Sequence, residues 1–420
     1  FNDNNISFEV FEHMGEDVHL SHAKYAQILE SPDRELRQKA FENYYKPFLQ
    51  NIDVLANTYA TTVLTNIKLT KCRNYESMLE SALFPDYLPT SVFTNLVDVV
   101  KENIDVISDF NVLKREALGV EELHFYDNYI PLVADVDKEY SYEETIDLVR
   151  TALEPLGSEY SEKYDATVNA RVIDVFESVG KRSGAFSWGS YASRGLVFLN
   201  HTGKFSDVST FAHEFGHCLH RDYSIGNQPY IYYQNPIFLA EIASTFNEAL
   251  LFDHMSKIAV SLEEKKFFLY HNMKRIEATF FRQTMFASFE KEIHEMAESG
   301  QVLIAKSITD VYRRNLEAYL GNGMVIDEQL HCEWARIPHF YNAFYVYKYA
   351  TSISAAIALA ERVSSGEAGA VDDYLSFLGA GSHKEPLEIL KDAGVDMAGK
   401  EVYEVTVSKF KKLLEEYKSL

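Results

Sequence analysis

The sequence predicts a mostly α-helical protein with one small β-sheet. Three observations carry this. Pro (10) and Gly (19) are sparse in 420 residues, so few positions interrupt a helix. Long stretches repeat apolar residues at three- and four-residue spacing. Only one region, shortly before residue 200, changes to a β-type rhythm.

Taken in order, Ser31-Pro32-Asp33-Arg34-Glu35 reads as a helix start, with Ser31 as N-cap and Pro32 at the first helical position. Leu36, Ala40, Tyr44 and Phe48 then form one apolar stripe. The same period marks residues 91–118, 141–156, 265–298 and 308–320, and recurs at 402–417 through Val405, Phe410 and Leu414. Between 184 and 191 small and aromatic residues alternate, and 196–200 is a short β-type run between Gly195 and Gly203. No internal repeat or low-complexity tract divides the chain.

Composition narrows the function. At 46% hydrophobic and 25% charged, the chain is globular rather than disordered. Its 63 acidic against 40 basic residues give a charge of −23, which disfavours nucleic-acid backbones and anionic membrane surfaces as partners. Three widely spaced cysteines, Cys72, Cys218 and Cys332, make no disulfide framework and suit a reducing, cytoplasmic setting. The opening segment has neither a basic start nor an apolar run, and no stretch reaches the ~18 apolar residues of a membrane helix.

Residues 213–217 read His-Glu-Phe-Gly-His. On a helix, His213 and His217 share one face and can bind one cation, while Glu214 sits where it can take a water's proton. Two ligands plus a base are what a zinc hydrolase requires. Ser209-Thr210 could cap this helix, and Phe211, Phe215 and Leu219 would pack behind it. Gly216 costs helix propensity, and close packing beside the ligands is one reason to accept it. The alternative is a surface helix with two solvated histidines, or a His217–His220 pair.

A third ligand is expected at Glu241, 24 residues after His217, at the head of an apolar helix. The other use of an acid there is to cap its own helix dipole. Glu248, seven residues on and on the same face, reads as a partner that orients a ligand histidine. The intervening loop carries Tyr230, Tyr232 and Tyr233, to contact ligand or to pack. Further on, Tyr341, Tyr345 and Tyr349 recur every four residues on a helical face, with His339 at its entrance. Such a stripe is either core packing or a set of neutral donors for a developing oxyanion.

These residues together resemble the oligoendopeptidase F family, within the thimet-oligopeptidase-like zinc peptidases. The resemblance runs from Ser31-Pro32-Asp33-Arg34-Glu35 through Lys181-Arg182-Ser183-Gly184-Ala185-Phe186-Ser187-Trp188-Gly189, His213–His217 and Glu241–Glu248. It continues through Phe281-Arg282-Gln283-Thr284-Met285-Phe286-Ala287, Ile337-Pro338-His339-Phe340-Tyr341 and Tyr345-Val346-Tyr347-Lys348-Tyr349-Ala350-Thr351. It implies one zinc ion on His213, His217 and Glu241, Glu214 as general base, and His339, Tyr341 and Tyr345 as oxyanion and substrate donors. Lys348 stands where the thimet branch has a further Tyr, so Tyr347 or Tyr349 could take that part. Ala192-Ser193-Arg194 replaces the acidic residues common after the Gly-Ser-Tyr motif, a change that bears on subsite preference.

The resemblance further implies a mostly α, two-lobed zinc-peptidase fold around a deep substrate channel, with a small sheet beside the metal-binding helix. Residues 1–50 would be a remnant of an amino-terminal helical region, the chain opening at Phe1 with much of that region missing. Residues 51–420 would form the catalytic domain, with the motif helix at 206–222, the third-ligand helix at 238–256 and the late His/Tyr motif at 333–352. The expected activity is endopeptidase cleavage of short unfolded oligopeptides by a monomer or small homo-oligomer. Two rivals are a family member that binds peptides with impaired catalysis, and a helical scaffold with an incidental metal motif.

Overall fold

The computed structural model describes residues 6–133 and 138–420, so residues 1–5 of the expected amino-terminal remnant lie outside it. The protein is mostly helical, as expected. It divides into two compact units, one of Phe1–Leu83, Val97–Ala134 and Phe281–Tyr347, the other of Phe84–Leu96, Asp135–Phe280 and Lys348–Leu420.

The first unit opens with a hairpin of β1 (Phe11–His13) and β2 (Glu16–Val18), paired antiparallel with Phe11 opposite Val18. Met14 and Gly15 in its turn both have positive φ, the twist a two-residue hairpin needs. The helix Arg34–Gln50 follows, and here the expected cap is corrected. Asp33 accepts the Leu36 N–H at 3.1 Å, while the Ser31 hydroxyl accepts only the Asp33 N–H, because the longer Asp side chain reaches the first turn. Ala40, Tyr44 and Phe48 are buried as the stripe predicts, and Tyr25 stacks on Tyr44 at 3.8 Å.

Helices Ile52–Cys72, Asp105–Leu118, Arg282–Glu298 and Ala305–Tyr319 complete this unit's helical core. Among them the buried Glu333 carboxylate accepts from Arg282 and Arg336, each at 2.6 Å, and from the Tyr312 hydroxyl at 2.7 Å. Burial pushes this carboxyl up, but the two guanidiniums outweigh it and hold it below the usual range. The cluster fastens the 3₁₀ segment Glu328–Arg336, which leads into the turn Pro338–Tyr341.

Two long periodic stretches are each divided. Residues 91–118 form Ser91–Glu102 and Asp105–Leu118. The 265–298 stretch is Leu262–Ile276, a π turn Glu277–Phe281 and Arg282–Glu298. Periodicity survives both breaks, so the sequence pattern alone reads through them.

In the second unit the small sheet has the order β3 (Ile173–Asp174), β5 (Leu196–Phe198), β4 (Phe186–Trp188). β3 runs parallel to β5 and β4 antiparallel, with Ser187 opposite Val197. β4 is therefore an edge strand, and it packs against the helix Phe205–Asn227. That helix lies in turn against Ile242–Ile258. Among the described residues no helix is long and apolar enough to cross a membrane.

Candidate active site

The motif helix Phe205–Asn227 begins upstream of where Ser209-Thr210 would cap it. Instead the Asp207 carboxylate reaches back to the Thr202 N–H at 2.7 Å, the Thr202 hydroxyl at 2.8 Å and the Lys204 N–H at 3.1 Å. The acid one turn inside satisfies the free donors and favours the positive helix end. Thr210 lies within the helix and donates to the Ser206 carbonyl. Phe211, Phe215 and Leu219 are buried behind the motif, as expected.

Gly216 decides how close the next helix comes. A Cβ there would lie 2.5 Å from Ser244 Cα and 2.6 Å from the Ala243 carbonyl oxygen, so only glycine permits this contact. Asn247 ties the same pair by donating to the Ala212 carbonyl at 3.2 Å. Glu241 stands at the junction between the short turn Ile237–Ala240 and the helix Ile242–Ile258. Ser244 donates to its Oε2 at 3.1 Å, which steadies the carboxylate.

These supports bring three donors together. Glu241 Oε2 lies 3.4 Å from Nε2 of both His213 and His217, and the two rings stand nearly perpendicular at 4.9 Å. Among the described residues this is the one group of His, Cys, Asp or Glu that could hold a metal ion, its ligand atoms all within 4.8 Å of one another. On its other nitrogen, Nδ1, His213 is hydrogen-bonded to Glu248, which leaves Nε2 facing Glu241. Glu248 is itself paired with Arg275 at 3.6 Å. Two imidazole nitrogens and one carboxylate suit a divalent, borderline-soft cation with a position left open.

The electrostatics agree with a cation-binding pocket. Burial lowers the His213 pKa, but its hydrogen bonds to the Glu241 and Glu248 carboxylates overcome this and raise it to about 10. Burial likewise pushes Glu241 up, yet its two histidine partners hold it far below the usual carboxylate range. Glu214 is 7% exposed and behaves differently. Burial raises its pKa, opposed by the two histidines and by a hydrogen bond from the Ser187 backbone on β4. His220 is buried against Phe377 and takes no part in the group.

The sequence pattern of peptidase family M3 matches residues 27–408. The chain belongs to peptidase family M3. It is 38% identical over 406 residues to oligopeptidase PepF of Bacillus subtilis, covering 97% of this chain and 61% of that protein. It is 37% identical over 411 residues to the chromosomal oligoendopeptidase F of Lactococcus lactis subsp. cremoris, covering 97% and 67%. The solved oligoendopeptidase F of Enterococcus faecium superimposes with a TM-score of 0.82 at 31% identity, covering 100% of this chain and 70% of its own. The chain thus spans about three fifths to two thirds of the curated relatives it matches. Members of the family are metal-dependent, and the His213, His217 and Glu241 group fits that requirement.

His339, Tyr341 and Tyr345 of the late motif belong to the first unit, and there one expectation is corrected. Tyr341, Tyr345 and Tyr349 do not share a helical face. Tyr341 ends a 3₁₀ turn, Pro338–Tyr341, and the next helix begins only at Tyr347. Between them Phe344 has φ of +54°, and its N–H donates to Glu290 rather than to a carbonyl four residues back. His339 is exposed and lies parallel to the Tyr345 ring at 6.2 Å, while Tyr341 meets Tyr59 edge-on at 6.0 Å. Sequence reasoning missed Ser187, Asn247, Arg275 and Glu290. Asn247, beside Glu248 on an apolar helix, was the one with a local signal.

Proposed function

We propose that this chain carries the catalytic centre of a zinc-dependent endopeptidase that cleaves short unfolded oligopeptides. The observation that carries the reading is Glu241 Oε2 at 3.4 Å from both histidine Nε2 atoms, with the buried Glu214 alongside. The names of the relatives, oligopeptidase and oligoendopeptidase, support the same substrate class.

His213, His217 and Glu241 would hold the zinc, which when bound supplies Lewis-acid activation of water and of the scissile carbonyl. Glu214 takes the proton of the attacking water and returns it to the leaving amine. Its burial suits both tasks, because a raised carboxyl pKa makes the proton easier to hold between them. His339, Tyr341 and Tyr345 are the donors assigned to the oxyanion and to substrate placement. The edge strand β4, with Phe186 and Trp188 exposed, offers backbone for pairing with an extended peptide. The reading places the protein in the cytoplasm, where its three free cysteines stay reduced, as a monomer or small homo-oligomer without nucleic-acid or membrane partners.

The test is cleavage of quenched oligopeptides together with elemental analysis before and after chelation. One zinc per chain is expected, with cleavage lost on removal and regained on adding zinc. Absence of stoichiometric zinc, or turnover that survives its removal, would contradict the reading.

A further inference from the structure

Phe344 sits between Tyr341 and Tyr345 in the left-handed backbone region, at φ of +54°, where an aromatic L-residue is strained. Such a conformation persists only where the surroundings impose it. Two residues of the helix Arg282–Glu298 do so. Glu290 Oε1 accepts the Phe344 N–H at 3.0 Å. His294, one turn on, packs its ring 4.9 Å from the Phe344 ring.

Both supporting residues are almost fully buried, Glu290 at 0% and His294 at 1% exposure. His294 Nδ1 is bonded to the Glu290 carbonyl at 2.8 Å, which locks the two to one another. Among the described residues the Phe344 N–H is the one donor to the Glu290 carboxyl group, and Oε2 has no hydrogen-bond partner there. An acid in the core is a costly way to accept a single N–H, so packing alone does not account for it. Burial pushes its pKa well up, toward a protonated carboxyl whose carbonyl oxygen can still accept that N–H.

The consequence lies in what the capture prevents. In an uninterrupted helix the Phe344 N–H would bond to the Phe340 carbonyl, and Tyr345 would stand one turn above Tyr341. Redirected to Glu290, the chain turns, and Tyr345 instead lies parallel to His339. We propose that Glu290 is a positioning residue, which by capturing the Phe344 N–H sets the turn that fixes His339, Tyr341 and Tyr345 relative to one another. This rests on the reading that those three serve catalysis; Glu290 itself touches no reacting atom.

The test compares Glu290→Gln, Glu290→Met, Phe344→Gly and Glu290→Met/Phe344→Gly in the zinc-loaded full chain. Readouts are amide exchange over residues 339–346, zinc content, and kcat and KM on a quenched peptide. Glu290→Gln keeps an acceptor of the same shape and should match the parent in exchange and turnover. Glu290→Met should bind zinc normally but expose the Phe344 amide to faster exchange. Its kcat should fall about a hundredfold at little-changed KM, the scale of a misplaced catalytic constellation. Adding Phe344→Gly, which adopts the left-handed turn unaided, should recover most of that loss. If Glu290→Met does not fold, the double variant carries the comparison and should fold with turnover near that of Phe344→Gly alone.

Unchanged exchange in Glu290→Met, equal loss in Glu290→Gln, or no recovery in the double variant would each overturn the proposal. Amide exchange is read without turnover. An inactive, zinc-loaded parent would therefore defeat the proposed function while the exchange comparison still judged Glu290.

Discussion

Gly216 and Ser244 meet so closely that a single added carbon at Gly216 would lie 2.5 Å from Ser244 Cα. This contact brings the third-ligand helix onto the motif helix and Glu241 onto the histidines. Gly216→Ala must push the helices apart, and overpacking of this kind costs about 1–3 kcal/mol. Denaturant unfolding should show that loss, and metal titration should show weaker binding, because Glu241 moves away from His213 and His217. Unchanged metal affinity would mean that the helix contact does not set the ligand spacing.

Glu248 acts on the metal group through His213. Removing an outer partner of a ligand histidine typically lowers metal affinity by about 10–100-fold, and Glu248→Ala should do the same. Glu248→Gln should lose less, since its amide oxygen can still accept from Nδ1. Competition against a calibrated zinc chelator reads both. Equal affinities across the parent and both variants would remove Glu248 from the site.

Acid stability should report on Asp127. This buried carboxylate is bonded to Arg34 at 2.9 and 3.0 Å, to Arg37 at 2.7 Å and to the His124 N–H at 3.0 Å. Burial pushes its pKa up, but these partners outweigh it and leave the pKa below the ordinary value. A carboxyl with a lowered folded pKa contributes stability above its unfolded pKa of about 3.9, lost as pH falls through the folded value. Asp127→Asn should therefore cost about 3 kcal/mol at neutral pH, the scale of breaking a buried ion pair. It should cost progressively less as the pH falls from about 4, where the unfolded chain's carboxyl begins to protonate, toward the lower folded value. Urea unfolding at several pH values checks this, and a pH-independent difference would contradict it.

What could be read from the sequence was local. His213 and His217 share a face by the helical repeat alone, and Glu241 and Glu248 are likewise seven apart on one helix. Gly216 signalled a close approach because a glycine inside a helix needs a reason. The caps were misread over short distances, since Asp33 and Asp207 reach their donors better than the hydroxyls first assigned. The tyrosine stripe failed for a different reason. Its period is real in the sequence, but Glu290, 54 residues away, withdraws the Phe344 N–H from the helix. Arg275, which pairs with Glu248, is likewise brought in by tertiary folding and leaves no mark near the motif.

The proposed function turns on Glu214 moving the proton beside a metal group formed by His213, His217 and Glu241. Its most direct measurement is turnover of Glu214→Gln on a quenched oligopeptide, with bound zinc determined on the same sample. One zinc per chain is expected, with turnover reduced by about 10²–10⁴-fold, the usual contribution of a positioned general base. Near-parental turnover with zinc fully bound would contradict it.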